Sequence, residues 1–399
     1  MRTSLSRLLI LLAVLGLAFA AGCGGGGGEK KAEELKSIKL GFVIPITGDI
    51  PKVGESSRQA AEMLREEIAA AGGVEVGGVK LPVEFLYEDN ESKAESAVSA
   101  ALKLIEQNKV LGIIGPQASK QAIPAGEVAN ANKTPMISPW STNPATTLNR
   151  PYVFRACFLD PFQGPVAAKF ATEEFGATKA AVLFDIASDY PKGLAEYFKK
   201  AWEDIHGAGS VVAFETFTTK DQDFSAQLTK IANTGADVLF VPQYYSEVAL
   251  IVPQARRAGF DKPILGSDSW GSAELMSLCG DACRGLYFTT HYAAAGATGA
   301  TKDFIEKFSA KYGYVPDDVA ALTWDATRMM LEAITATGGL KGSLPEMREQ
   351  IRASLASIEQ FDGITGSMRF DAEGDPIKCA VVVKISDEGE FTFFKSVCP

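Results

Sequence analysis

Val110-Leu-Gly-Ile-Ile-Gly-Pro-Gln117 is an apolar run closed by a Gly-Pro break, and Val238-Leu-Phe-Val-Pro-Gln243 repeats its design further along the chain. A run this short, rich in β-branched residues and stopped by proline, reads as a strand buried on both faces. Each run is followed, at a similar separation, by a further matching stretch: Thr134-Pro-Met-Ile-Ser-Pro-Trp140-Ser141 after the first and Lys262-Pro-Ile-Leu-Gly-Ser-Asp-Ser-Trp270 after the other. Two echoes in the same order predict two lobes of common design, with ligand-facing loops at the carboxyl ends of their strands.

Working outward, similar runs recur at Ile38 to Ile46, Val83 to Tyr87, Ala180 to Phe184 and Val211 to Phe214. Helix-period stripes lie between them: Ala60, Leu64 and Ile68; Ala97, Ala101, Leu104 and Ile105; Leu228 and Ile231. Such alternation predicts an α/β fold of parallel sheets covered by helices on both faces. Two doubly wound lobes facing one another leave a cleft lined by strand-end loops from both sides, where small ligands are held.

The N-terminus carries an address. Arg2 and Arg7 precede an apolar run from Leu8 to Ala20, then Ala21, Gly22 and Cys23. That run is well short of the roughly 20 residues of a membrane span, so residues 1–22 read as a signal peptide. Cys23 is expected to become a lipid-bearing N-terminus, although Ala20 stands where a lipobox usually has Leu; the alternative is ordinary cleavage after Ala20, Ala21 or Gly22. Gly24 to Gly28 make residues 23–36 a flexible tether. No later apolar stretch approaches spanning length, which places the rest outside the cytoplasm.

Net charge is −10 and the only histidines are His206 and His291, so nucleic acid is not expected as a partner and a metal site is not expected. An exported chain can form disulfides. The runs Ile377 to Ile385 and Phe391 to Val397 flank Glu388-Gly389, read as a two-residue turn, and with that turn as centre Cys379 and Cys398 fall opposite each other. Cys279 and Cys283 are close enough to bridge across one loop, which leaves Cys157 as a packing residue.

Ser119 follows the strand of Gly115-Pro-Gln-Ala-Ser119 and precedes a helix-like segment from Gln121 to Asn132. Its hydroxyl, beside the N–H groups of a helix start, suits a carboxylate; alternatively it only caps the helix. Thr142, in Ser138-Pro-Trp-Ser-Thr142-Asn143-Pro144, offers a second hydrogen bond to that carboxylate and the Trp140 carbonyl an acceptor for an ammonium; alternatively the segment is merely a turn. Asp268 follows the second lobe's strand and is the natural partner of a ligand ammonium, while Tyr244 and Tyr190 end other strands. The plain alternatives are a loop carboxylate and packing aromatics.

The most specific stretches are Arg155 through Leu159-Asp-Pro-Phe-Gln-Gly-Pro165-Val-Ala-Ala-Lys169, Lys220-Asp-Gln-Asp-Phe-Ser225, Tyr244-Tyr245 with Gln254-Ala-Arg256 and Gly259, and Gly280-Asp281 with Gly285. With these, the chain resembles the leucine/isoleucine/valine-binding proteins, the amino-acid branch of the type I periplasmic binding proteins, from about Ile38 to its end. The resemblance implies a three-crossover hinge near Cys157 to Asp160, near His291 and near Thr365 to Asp371. Lobe 1 would hold 37–157 plus 292–365, and lobe 2 would hold 158–291 plus 366–399.

It further implies that Ser119 and Thr142 bind the ligand carboxylate, that the Trp140 carbonyl and Asp268 meet its ammonium, and that Tyr190 and Tyr244 line the second lobe. Departures touch the side-chain pocket: Val53 where the family often has an aromatic before the first helix, Trp140 for a small residue, Lys120 for a hydroxyl, Pro191 for Gly and Asp268 for Glu.

The implied activity is that of a monomeric, lipid-anchored solute-binding protein, periplasmic or on the cell surface, that delivers an amino acid to the permease of an ABC transporter, without a cofactor. A sensory partner, or an amide or small carboxylate as ligand, are the rival readings. No Ser-His-Asp order, metal cluster or phosphate loop points to an enzyme, and a repressor would need an N-terminal helix-turn-helix in place of the export signal.

Overall fold

The structure, a computed structural model, describes residues 35–399 apart from 273 and 372; the signal segment, Cys23 and most of the glycine tether lie outside the described residues. β1 (Ile38–Ile44) leads into α1 (Pro51–Ala70), a hairpin of β2 (Val74–Val76) and β3 (Val79–Leu81), β4 (Val83–Asp89), α2 (Ala94–Leu102), β5 (Gly112–Ile114), α3 (Ser119–Ala131), β6 (Met136–Ser138) and β7 (Val153–Arg155). Five of these strands form an all-parallel sheet in the order β4-β1-β5-β6-β7. The order reverses at β1, which opens a crevice at the carboxyl ends of the strands on either side of it.

Side-chain alternation along β1 explains the two helical layers. Leu40, Phe42 and Ile44 pack with Ala60 and Leu64 of α1, whereas Val43 packs with Ala97 and Ala101 of α2 and with Ala125 of α3. Val53, expected before the first helix, sits inside it and is buried: the proline at position 51 is preset for the first helical turn, so α1 starts earlier than the loop reading assumed.

The second sheet begins after α4 (Asp160–Phe175) and alternates β8 (Ala180–Asp185), α5 (Asp189–His206), β9 (Val211–Phe217), α6 (Ser225–Ala232), β10 (Val238–Val241), α7 (Tyr245–Arg257), β11 (Ile264–Gly266), α8 (Glu274–Cys279) and β12 (Tyr287–Thr290). On α5 the stripe Tyr190, Leu194, Phe198 and Trp202 recurs every fourth residue and is buried, with the Phe198 ring stacked 4.2 Å from that of Phe240 on β10. Each such fully buried side chain contributes about 1.5–3 kcal/mol, and together they hold α5 on the sheet.

The chain then returns to the first sheet: α9 (Gly299–Tyr312) and α10 (Asp318–Ala336) pack on α1, and α11 (Leu344–Ala356) packs on α10. A small sheet of β13 (Gln360–Gly363), β14 (Gly366–Phe370) and β15 (Pro376–Ile377) follows, before the hairpin β16 (Ala380–Ile385) and β17 (Phe391–Val397) closes the second sheet in the order β17-β16-β12-β11-β10-β8-β9.

The C-terminal hairpin corrects two expectations. Ile377 belongs to the small sheet, so the run from 377 to 385 is two strands. The turn is not Glu388-Gly389 alone but a five-residue loop from Ser386 to Glu390, with Ile385 paired to Phe391 and the Ser386 hydroxyl accepting from the N–H groups of Glu388 and Glu390. A bulge between Val382 and Val383 takes up the extra residue and restores the pairing of Ala380 with Val397. Cys379 and Cys398 are joined there, Cys279 is joined to Cys283, and Cys157 is free and buried.

Where the chain leaves the first sheet, Arg155 is 0% exposed. Its Nε lies 2.7 Å from Oδ1 of Asp375, and its two terminal nitrogens reach the carbonyls of Ser141 at 2.7 Å and Asn143 at 3.1 Å and the Thr147 hydroxyl at 2.6 Å. Removing one member of a buried pair strands the other charge. Arg155→Ala is therefore expected to lose about 3–5 kcal/mol in chemical denaturation, and Arg155→Ala with Asp375→Ala together should lose less than the sum of the single changes.

Candidate functional site

Asp268 is positioned by the way β11 ends. A Cβ on Gly266 would lie 2.2 Å from the Trp270 ring, so glycine lets the indole fold back over the strand. Trp270 Nε1 then donates to the Val241 carbonyl at 3.1 Å, and Ser269 Oγ donates to the Gln243 carbonyl at 2.8 Å. These two bonds pin the tight turn Asp268–Trp270 across the ends of β10 and β11. Asp268 is buried there: the Tyr190 hydroxyl lies 2.5 Å and Gln163 Nε2 2.8 Å from its Oδ1, and His291 Nε2 lies 3.3 Å from its Oδ2.

Facing it is the wall made by the loops after β5 and β6. Ser119 is the first residue of α3 but makes no capping bond; its hydroxyl lies 2.8 Å from that of Ser141, which is 2.6 Å from the Thr146 hydroxyl. Trp140 donates through Nε1 to Oδ2 of Asp318, the first residue of α10, at 3.1 Å. Its ring lies 6.0 Å from that of Tyr244, which lies 5.4 Å from that of Tyr190.

Ser119, Trp140, Tyr190, Tyr244 and Asp268, with Ala118, converge on one small cavity that is closed down to less than the size of a water molecule. Thr142 is not among the lining side chains. Its carbonyl accepts the Asp160 N–H at 2.9 Å, which sets the residue against the start of α4 instead.

Three carboxyl groups converge here. Burial, with a smaller contribution from the charge of Asp268, pushes Asp160 up to about 8, and burial followed by the Asp268 charge pushes Asp318 well above the usual carboxylate range. Burial also holds His291 down to about 4, which keeps it neutral. Donor atoms of Asp268, His291 and Asp318 lie within 4.8 Å of one another, the arrangement a metal would need. Each already bonds within the protein: Asp268 with Tyr190 and Gln163, Asp318 with Trp140, and His291 with Asp268.

Gln163, Ser141, His291 and Asp318 were not singled out from the sequence. Gln163 and Ser141 carried a signal, inside the stretches from Arg155 to Lys169 and from Ser138 to Pro144, and His291 marked an expected crossing; Asp318 joins the site from a distant segment.

Residues 37–390 match the family model described as periplasmic binding protein. The chain is 31% identical over 375 residues to a leucine-, isoleucine-, valine-, threonine- and alanine-binding protein of Pseudomonas aeruginosa, covering 93% of this chain and 92% of the relative. Among solved structures, a leucine-binding protein from Thermotoga maritima superposes with a TM-score of 0.83 at 35% identity, covering 91% of this chain and 99% of that one. A branched-chain amino acid transporter substrate-binding protein from Streptococcus pneumoniae, in complex with isoleucine, gives 0.81 at 31% identity, with 91% and 100% covered.

The pH profile of stability follows from Asp160. The folded chain keeps its proton up to about pH 8, whereas an unfolded Asp releases it near pH 3.9. Between those values the folded state binds more protons, so stability falls as pH rises through the window. Asp160→Asn is expected to remove that fall: relative to the variant, the parent should lose on the order of a few kcal/mol between about pH 4 and pH 8, read by denaturation at each pH.

Proposed function

We propose that this chain, which belongs to the periplasmic binding protein family in its Leu/Ile/Val-binding branch, captures an α-amino acid between two lobes and delivers it to the permease of an ABC transporter. The carrying observation is the composition of the small cavity: Ser119 and Trp140 come from loops of the first sheet, and Tyr190, Tyr244 and Asp268 from loops of the second. A ligand touching both walls favours whichever arrangement brings them together, because only contacts made in that arrangement shift the equilibrium.

In this reading the lobes are residues 37–157 with 292–365 and residues 158–291 with 366–399, and the protein works as a monomer. The ligand carboxylate docks at Ser119 and the first turn of α3, where helix N–H groups favour an anion. Its ammonium is held by Asp268 and the Trp140 carbonyl, with Tyr190 and Tyr244 closing the far side. Thr142 supports this wall from behind, beside Asp160. Cys23 carries the lipid that tethers the protein to the outer face of a membrane, and the two disulfides form after export.

Two measurements test this reading. Calorimetric titration of the protein, refolded to strip carried ligand, against the common α-amino acids should find at least one binder, and Asp268→Ala should weaken it by roughly 10- to 100-fold, the loss of one charge-assisted bond. An unchanged affinity would remove Asp268 from the site. Labelled palmitate fed to expressing bacterial cells should be incorporated into the parent and not into Cys23→Ser; equal labelling would place the lipid elsewhere.

A further inference from the structure

A second cavity, of about 30 Å³, adjoins the first, and Ala118 and Tyr244 line both. An amino acid gripped between Ser119 and Asp268 would extend its side chain toward this chamber, whose lining it would then meet. The lining is unlike a pocket for an aliphatic group. Gln121 is 4% exposed and Gln243 1% exposed, and the side-chain amide oxygen of each is buried without a hydrogen-bond partner.

Charge points the same way. Asp49, Asp185 and Glu247 line the chamber with one base, Lys120, and among the described residues no ion pair joins them. Asp185 is buried at the end of β8, where its Oδ1 accepts the Ala187 N–H at 2.8 Å and its Oδ2 the Thr219 hydroxyl. Glu247, on the first turn of α7, accepts from the Ser246 hydroxyl at 2.7 Å.

We infer that the amino acid bound here has a side chain ending in N–H donors, an amide or a cation, and not a branched aliphatic one; the inference rests on the amino-acid reading above. A leucine or isoleucine side chain would displace water from the chamber and leave the Gln121 and Gln243 oxygens with no donor, the costly case for a buried polar group. Donor-bearing side chains satisfy those oxygens and meet the acidic excess. An acidic side chain offers acceptors to acceptors and is repelled. A site built to hydrogen-bond a ligand rejects an analogue lacking the group far more strongly than an apolar pocket rejects a missing methylene.

Titration of the refolded protein with glutamine, arginine, lysine, leucine, isoleucine and glutamate tests this. Glutamine, arginine or lysine should bind at least ten-fold more tightly than leucine or isoleucine; glutamine first identifies the amide form, arginine or lysine first the cationic form. In Gln121→Leu with Gln243→Leu that preference should shrink by ten-fold or more, with leucine gaining. The single variant Gln243→Met should move the same way by a smaller factor, and the parent's ranking stands as a test whether or not the double variant folds. Leucine or isoleucine binding as tightly as any donor-bearing amino acid, glutamate ranking first, or a preference unmoved in the variants overturns the inference while leaving amino-acid binding intact. Failure of every amino acid to bind overturns the reading beneath it.

Discussion

The buried guanidinium of Arg155 is the constraint on which the first wall of the site depends. It reaches the carbonyls of Ser141 and Asn143, which bracket Thr142, and it is balanced by Asp375 from the last crossing between the sheets. With those carbonyls turned inward, the loop after β6 has one arrangement available, and the Ser141 hydroxyl is left to meet Ser119 on one side and Thr146 on the other. A buried ion pair contributes little net stability over an apolar replacement. What it supplies here is a fixed place for the loop after β6, which carries Trp140 and sets Ser141 against Ser119.

The opposing wall is organised by electrostatics. Asp160, Asp268 and Asp318 are all buried, and the nearby bases are engaged elsewhere: Arg155 with Asp375, and Lys378, lowered to about 8 by burial, with the Thr365 hydroxyl. Burial disfavours the charged form of a carboxyl, and a neighbouring negative charge adds to that; burial first, and then the Asp268 charge, shift both Asp160 and Asp318 upward. A carboxyl buried in this setting attracts an incoming ammonium more strongly than an exposed one would, because the surroundings screen the attraction less. The neutral His291, its ring centroid 3.8 Å from that of Phe158, adds no competing cation.

Much of this was legible because it is local. The strand runs, the stripe on α1 and the four-residue cysteine spacing are patterns of neighbours along the chain, and the paired echoes placed Ser119, Trp140, Tyr244 and Asp268 at strand ends, where they meet. What escaped is of two kinds. Turn lengths depend on a bulge that the local sequence does not announce, so the hairpin loop is three residues longer than the two-residue turn expected from Glu388-Gly389. Partnerships between distant segments, Gln163 with Asp268 or Trp140 with Asp318, exist only once elements more than a hundred residues apart in sequence are packed together. Thr142 lies two residues beyond the lining residue Trp140, where its carbonyl accepts the Asp160 N–H and its buried hydroxyl has no hydrogen-bond partner.

The two cavities differ in how their walls are held, and that difference bears on how ligand choice can change. Around the first, Asp268 stands on a turn locked by Trp270 and Ser269 to backbone carbonyls, so moving it would disturb β10 and β11 themselves. Around the second, Gln121 and Gln243 are buried with an oxygen each uncommitted. Substituting a group that bonds to the framework disturbs its partners as well as the site, whereas the Gln121 and Gln243 oxygens bond to no framework group, and the Gln243 side chain reaches only Glu247, itself on the chamber wall. Asp268, the proposed partner of the α-amino group, is therefore tied to the fold, while the chamber wall can be rebuilt on the same scaffold. That is how a chain with the architecture of leucine-binding relatives can carry a chamber whose chemistry opposes leucine.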